Sequence, residues 1–192
     1  MAGKYEFRPD RPQSGLLSHL ILTQKQRSSL LKWVLYTLVL LVLSILQDVL
    51  LCRFRLFGAT TELVPCGIFL ICVMEGLDRG SVFCLCAACI YFFSGSAAGI
   101  YSIVFITALG VGVCLFRQSY LQKSFSATML CVVIAMLFYE LAVFFIGLFL
   151  GLTTFPRIGS FLLTAIMTLV AAPVLYPVAN LIGAIGGEAW KE

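Results

Sequence analysis

The chain has 192 residues, of which 61% are hydrophobic and 11% charged, and its formal net charge is +4; soluble domains run at about 45–50% and 25%. A water-soluble fold of this length needs more polar cover than the sequence supplies, so its solvent is lipid. The positive balance is no nucleic-acid footprint, because the charges fall in short breaks between apolar runs and are better explained by membrane topology.

Residues 1–32 are polar and basic, without the apolar core and small-residue cleavage site of a signal peptide. Within them "GLLSHLILTQKQRSSLLK" places Leu16, Leu17, Leu20 and Ile21 before Lys25, Arg27 and Lys32. That pattern suits an interfacial helix on anionic headgroups, or equally a basic flank that fixes orientation.

A membrane-crossing helix needs about 20 mostly apolar residues. The first predicted span is Trp33–Cys52, and it closes in "LQDVLLCRFRLFG". Asp48 lies about 22 Å along a helix begun at Trp33, near the far edge of the hydrocarbon. Gln47 and Asp48 then occupy the outer turn, with Arg53 and Arg55 at headgroup level, one of them within reach of Asp48. Phe57 is an interfacial anchor and Gly58 permits the turn into the next span. This end reads either as an outward-facing surface for a partner or ligand, or as a solvated helix end.

Further spans are expected at Thr61–Leu77, Ser81–Ala98 after the charged break "EGLDRG", Ile100–Phe116, Ser126–Leu152 and Ile158–Ile182. Five or six crossings fit, and six is favoured. The domain is then a single transmembrane unit over residues 33–186 with a short tail, 187–192. With both termini cytoplasmic, Lys4, Arg8, Arg11, Lys25, Arg27, Lys32, Arg79, Arg117, Lys123 and Lys191 share the inner side, against Arg53, Arg55 and Arg157 outside.

Glu140 stands in the middle of the fifth span, where a carboxylate costs on the order of a few kcal/mol unless neutral or paired. No second ionisable group is expected at its depth, which favours internal adhesion or contact with another membrane protein over a proton relay. Gly95 with Gly99, and Ala108 with Gly112, are spaced for close helix approach. Pro173 and Pro177 should kink or break the last helix.

Eight cysteines are present, three of them in "CLCAACI", but the single histidine is His19 and no second CxxC pair accompanies them. They read as small packing residues rather than metal ligands. No GxSxG, HExxH, P-loop or dinucleotide fingerprint occurs, and no paired intramembrane aspartates. The expectation is a non-enzymatic protein without a cofactor.

Several stretches together resemble the bacterial rod shape-determining protein MreD family: "LQDVLLCRFRLFGATTEL", "GLDRGSVFCLCAACIYFFSGSAAGIYSIVFITALGVGV" and "AAPVLYPVANLI". The carrying residues are Leu46 with Gln47, Phe57 with Gly58, Glu62, Gly80, Ser94 with Gly95, and Gly99 to Tyr101. Where many members have a proline and a third-helix aspartate, this chain has Thr61 and Tyr91. The resemblance implies an all-α polytopic bundle in the cytoplasmic membrane, similar to substrate-binding subunits of energy-coupling-factor transporters. It also implies a scaffold for side-wall peptidoglycan synthesis, with MreC as direct partner. MreB, a RodA-type glycosyltransferase and a penicillin-binding transpeptidase would be indirect ones. Partner-binding candidates are Gln47, Asp48, Arg55, Phe57, Gly58, Glu62 and Glu140. The rival expectation is a small-molecule transport subunit, disfavoured by Leu and Val where the first helix would want alanines.

Overall fold

The structure, a computed structural model, describes residues 24–51, 59–120 and 124–185. The N-terminal residues 1–23, the loop with Cys52, Arg53, Arg55, Phe57 and Gly58, and the tail from 186 lie outside the described residues. What is described is helical: α1 Gln24–Ile45, α2 Leu63–Glu75, α3 Leu77–Phe93, α4 Tyr101–Tyr120, α5 Phe125–Phe149 and α6 Ile158–Gly183. A π-helical turn, Leu46–Leu50, prolongs α1, and a 3-10 turn, Phe155–Arg157, precedes α6. Four of these stretches are long and apolar enough to cross a membrane: Arg27–Val49, Tyr101–Ser119, Phe125–Phe149 and Phe155–Gly183. The protein is membrane-embedded.

α2 spans only about 20 Å at 1.5 Å per residue, and every residue from Leu63 to Met74 is buried. It is the axle of the bundle, touching α1, α3, α4, α5 and α6. A helix sheathed by protein presents nothing to lipid, so its sequence is apolar all round instead of striped. α1 meets α2 along one seam, Lys32, Tyr36, Leu43 and Gln47, recurring at the four- and seven-residue spacing of one helix face. Its opposite face, Leu31, Val34, Leu38, Leu41, Val42 and Ile45, is exposed.

Helix–helix adhesion in lipid relies on close packing, because tails are as apolar as leucine. The close approaches occur at Gly67 under Leu43 and Leu40, Gly80 against the Cys72 carbonyl, and Gly110 against Cys84 Sγ. These are not the expected pairs. Gly95 has φ +78° and turns α3 into α4, Gly99 lies under the Tyr101 ring, and Gly112 faces open space. The buried thiols of Cys66, Cys72, Cys84, Cys114 and Cys131 do act as packing residues.

Local chemistry explains the ends. A single residue, Gly76 at φ +84°, reverses α2 into α3; the left-handed backbone there requires glycine. α3 therefore begins inside the charged break, with Asp78 in its first turn. Ser124 caps α5 by accepting from Ala127 N–H at 3.2 Å. α5 ends at Gly151, φ +71°, with Leu152 N–H on Gly147 O (2.8 Å) and Gly151 N–H on Leu148 O (3.1 Å), the paired bonds of a Schellman stop. α6 is not broken at Pro173 or Pro177, both of which lie inside it with their rings exposed.

Two basic residues assigned to loops belong to the core. Lys32 pairs with Glu75 at 2.7 Å, and Tyr36 OH donates to the same carboxylate oxygen at 2.7 Å. Arg117 is 6% exposed, and its Nη1 donates to the Val73 carbonyl near the end of α2. Arg117 thus serves a carbonyl in the last turn of α2, which has no intrahelical partner, while Lys32 neutralises the carboxylate of its last residue.

Candidate functional site

The C-terminal turn of α1, the N-terminus of α2, the end of α3 and the start of α4 meet at the opposite end of the bundle. Three long-range contacts fix the assembly. Gln47 Oε1, in the π turn of α1, accepts from Val64 N–H at 3.1 Å. Thr168 Oγ1, in α6, accepts from Glu62 N–H at 2.9 Å. Both thus satisfy backbone donors that the first turn of α2 cannot pair internally. Ser96 Oγ, in the α3–α4 turn, donates to Asp48 Oδ2 at 2.8 Å, while Tyr91 OH donates to Ser96 O at 3.2 Å.

Beneath this layer lies a cluster of buried polar side chains. Glu140 and Tyr139 of α5 are 2% and 0% exposed, and Ser102 of α4 is 1% exposed. Glu62 and Glu140 are near enough to act electrostatically on each other, and both act on Tyr91 and Tyr139. Ser102 sits against the Tyr139 hydroxyl without completing a hydrogen bond. Glu62 Oε2, Glu140 Oε1, Tyr139 OH and Ser102 Oγ are all enclosed and have no hydrogen-bond partner. Tyr139 is held by Phe69 of α2 at a ring separation of 6.2 Å, edge to face.

The candidates read from sequence divide three ways. Gln47 is buried and serves α2; Asp48 is exposed at the surface, bonded to Ser96 and, at 3.4 Å, to Ser44. Arg55, Phe57 and Gly58 lie outside the described residues. Glu62 Oε2 and Glu140 Oε1 are both enclosed, and the two acids act on each other electrostatically, which corrects the expectation that Glu140 is the lone carboxylate at its depth. The reason is the shortness of α2, which brings its N-terminal residue level with the second half of α5. Nor is Glu140 a surface contact. Tyr139, legible as a candidate donor beside Glu140, makes no hydrogen bond to it. Tyr91, Ser102 and Thr168 were missed; the one legible signal was the polar ladder on α6, where Thr168 Oγ1 donates to Thr164 O at 2.8 Å.

Among the described residues no group of three or more His, Cys, Asp or Glu is placed to hold a metal. At the other end the thiols of Cys72 and Cys114 stand 3.3 Å apart, with Cys114 Sγ also reaching Cys72 O. No family model matches the chain, and neither a curated protein nor a solved structure does.

Proposed function

We propose that this chain is an integral membrane scaffold of the bacterial cell-elongation machinery, of the MreD kind. In this reading it binds MreC, and through it ties MreB filaments to a RodA-type glycosyltransferase and a penicillin-binding transpeptidase in the cytoplasmic membrane. The chain crosses six times with both termini inside, so the Gln47–Asp48 end faces outward. The observation that supports the reading is convergence. Leu46–Gln47, Glu62, Ser94–Gly95 and the start of α4, separated widely in sequence, are stitched together at one end by the Gln47–Val64 and Asp48–Ser96 bonds. The exposed Asp48 and the bare apolar face of α1 lie side by side, a surface suited to a partner's single membrane helix and its outer flank.

The test is co-expression of the tagged chain with the MreC-type protein of the same genome and purification in mild detergent. Stoichiometric recovery is expected. Absence of enrichment over an unrelated single-span protein rejects the scaffold reading.

The orphaned oxygens around Glu140 favour a second reading, a substrate-binding subunit of an energy-coupling-factor-type transporter. Tight retention of a small organic molecule by the purified chain, released on denaturation and identified by mass, would put that reading first.

A further inference from the structure

Several buried polar groups elsewhere in the bundle are satisfied. Glu75 takes Lys32 and Tyr36, and the Thr164 and Thr168 hydroxyls bond back along α6. Four enclosed oxygens without a hydrogen-bond partner come from the N-cap of α2, from α4 and from α5: Glu62 Oε2, Ser102 Oγ, Tyr139 OH and Glu140 Oε1; the two acids act on each other and on Tyr139, and Ser102 sits against the Tyr139 hydroxyl. Of the other two such hydroxyls, Thr61 adjoins Glu62 and Thr153 lies beyond the end of α5. Buried oxygens are normally paired, so four in one place call for a missing partner. No Lys or Arg among the described residues pairs with either carboxyl. A partner that is positively charged, or that donates several hydrogen bonds at once, satisfies both carboxyls if they are ionised.

We propose that this cluster binds a small hard inorganic cation, with Glu62 and Glu140 as charged ligands and the Tyr139 and Ser102 hydroxyls as neutral ones. The donor set is oxygen throughout, which suits alkali and alkaline-earth ions rather than zinc or copper. Hydroxyls complete the shell that a third acid or a histidine would supply in a transition-metal centre. A divalent ion balances two ionised carboxyls; sodium balances the pair when one carboxyl keeps its proton. The site lies inside the chain and does not depend on the scaffold reading.

The experiment uses the purified full chain in lipid nanodiscs, stripped with EDTA and exchanged into choline chloride. Its thermal midpoint is followed while CaCl2, MgCl2 or NaCl is added. One of these ions is expected to raise the midpoint saturably, by roughly 5–10 °C at about one hundred times its dissociation constant. Glu62→Gln and Glu140→Gln each abolish the rise, and Asp48→Asn keeps it. Ser102→Ala, which spares both carboxyls, weakens the apparent affinity and serves if either Gln variant fails to fold. No response to any ion means neutral acids bridged by water and overturns the proposal. A response that survives Glu140→Gln, or that Ser102→Ala leaves unchanged where the Gln variants cannot be made, belongs to lipid headgroups and overturns it too.

Discussion

Gly80→Ala tests the packing of α3 against the backbone of α2. A methyl group on Gly80 lands 2.5 Å from the Cys72 carbonyl oxygen and 3.3 Å from the Cys72 carbonyl carbon and Cα; comfortable contacts lie at about 3.5–4.0 Å. The obstacle is backbone, so no rotamer change relieves it. The same carbonyl also accepts from Gly76 N–H and from Cys114 Sγ, both at 3.2 Å, and Cys72 Sγ donates to Gly80 O at 3.3 Å. Pushing α3 away from α2 strains the Cys72 Sγ–Gly80 O bond that joins them, and displacing the carbonyl instead strains the other two. Overpacking costs about 1–3 kcal/mol, and loosened hydrogen bonds add about 1 kcal/mol. Against this stands a helix-propensity gain of about 1 kcal/mol for replacing glycine. The net loss is about 2 kcal/mol, or roughly 4–8 °C in midpoint for a chain of this size. Trp33 reports on it, because its ring packs 5.3 Å from Phe83 of α3. Gly112→Ala in α4 is the control: nothing lies within 4 Å of the added methyl, so only the propensity gain remains. A fluorescence melt in detergent should show the two variants moving in opposite directions. Gly80→Ala melting at or above the parent would refute the claimed approach of α2 and α3.

The remaining predictions concern the two ends. Lys32→Met strands Glu75 in the interior and should cost about 3–5 kcal/mol, while the double variant Lys32→Met, Glu75→Met recovers most of it; unequal melts of single and double variants check this. Gln47→Ala leaves Val64 N–H without its acceptor and should cost about 1–3 kcal/mol, whereas Gln47→Glu keeps an acceptor and a near-parental melt. Asp48→Ala is exposed and should move stability by no more than about 0.5 kcal/mol, yet lower recovery of the MreC-type partner in co-purification. Equal partner recovery by parent and variant would remove Asp48 from the docking surface.

The helices themselves were legible, because lipid demands long apolar runs and the breaks between them carry the charges. What periodicity could not reveal was which helix is sheathed. α2 and α5 are both strongly apolar, but only α2 is buried on every side, and nothing local to "LVPCGIFLICVM" reveals which helix that is. The fates of Lys32 and Arg117 were hidden for the same reason. Each sits at a helix end and looks like a solvated topology marker, until the short α2 brings backbone and carboxylate acceptors to meet it. The glycine pairs misled because four-residue spacing is common in a chain with 16 glycines. Close approach depends on which face turns inward, and for Gly80 and Gly110 that face is set by packing against other helices, at Cys72 of α2 and Cys84 of α3.

The two acids bracketing α2 show how packing separates structural from functional charge. Glu75 sits at the C-terminal end, where the helix dipole is negative and a carboxylate is disfavoured; Lys32 and Tyr36 answer that penalty, and the group is consumed by the fold. Glu62 sits at the N-terminal end, where the dipole favours an anion and a side-chain cap would be the usual arrangement. Yet its carboxyl makes no capping bond to its own helix. Gln47 reaches across from α1 to cap Val64, and Thr168 takes the Glu62 N–H. With the capping of α2 carried out by Gln47 and Thr168, the Glu62 carboxyl makes no capping bond and its Oε2 is enclosed without a hydrogen-bond partner. The same dipole that would have held a cap favours the anion there, so an ionised Glu62 is available to the proposed cation rather than spent on its own helix.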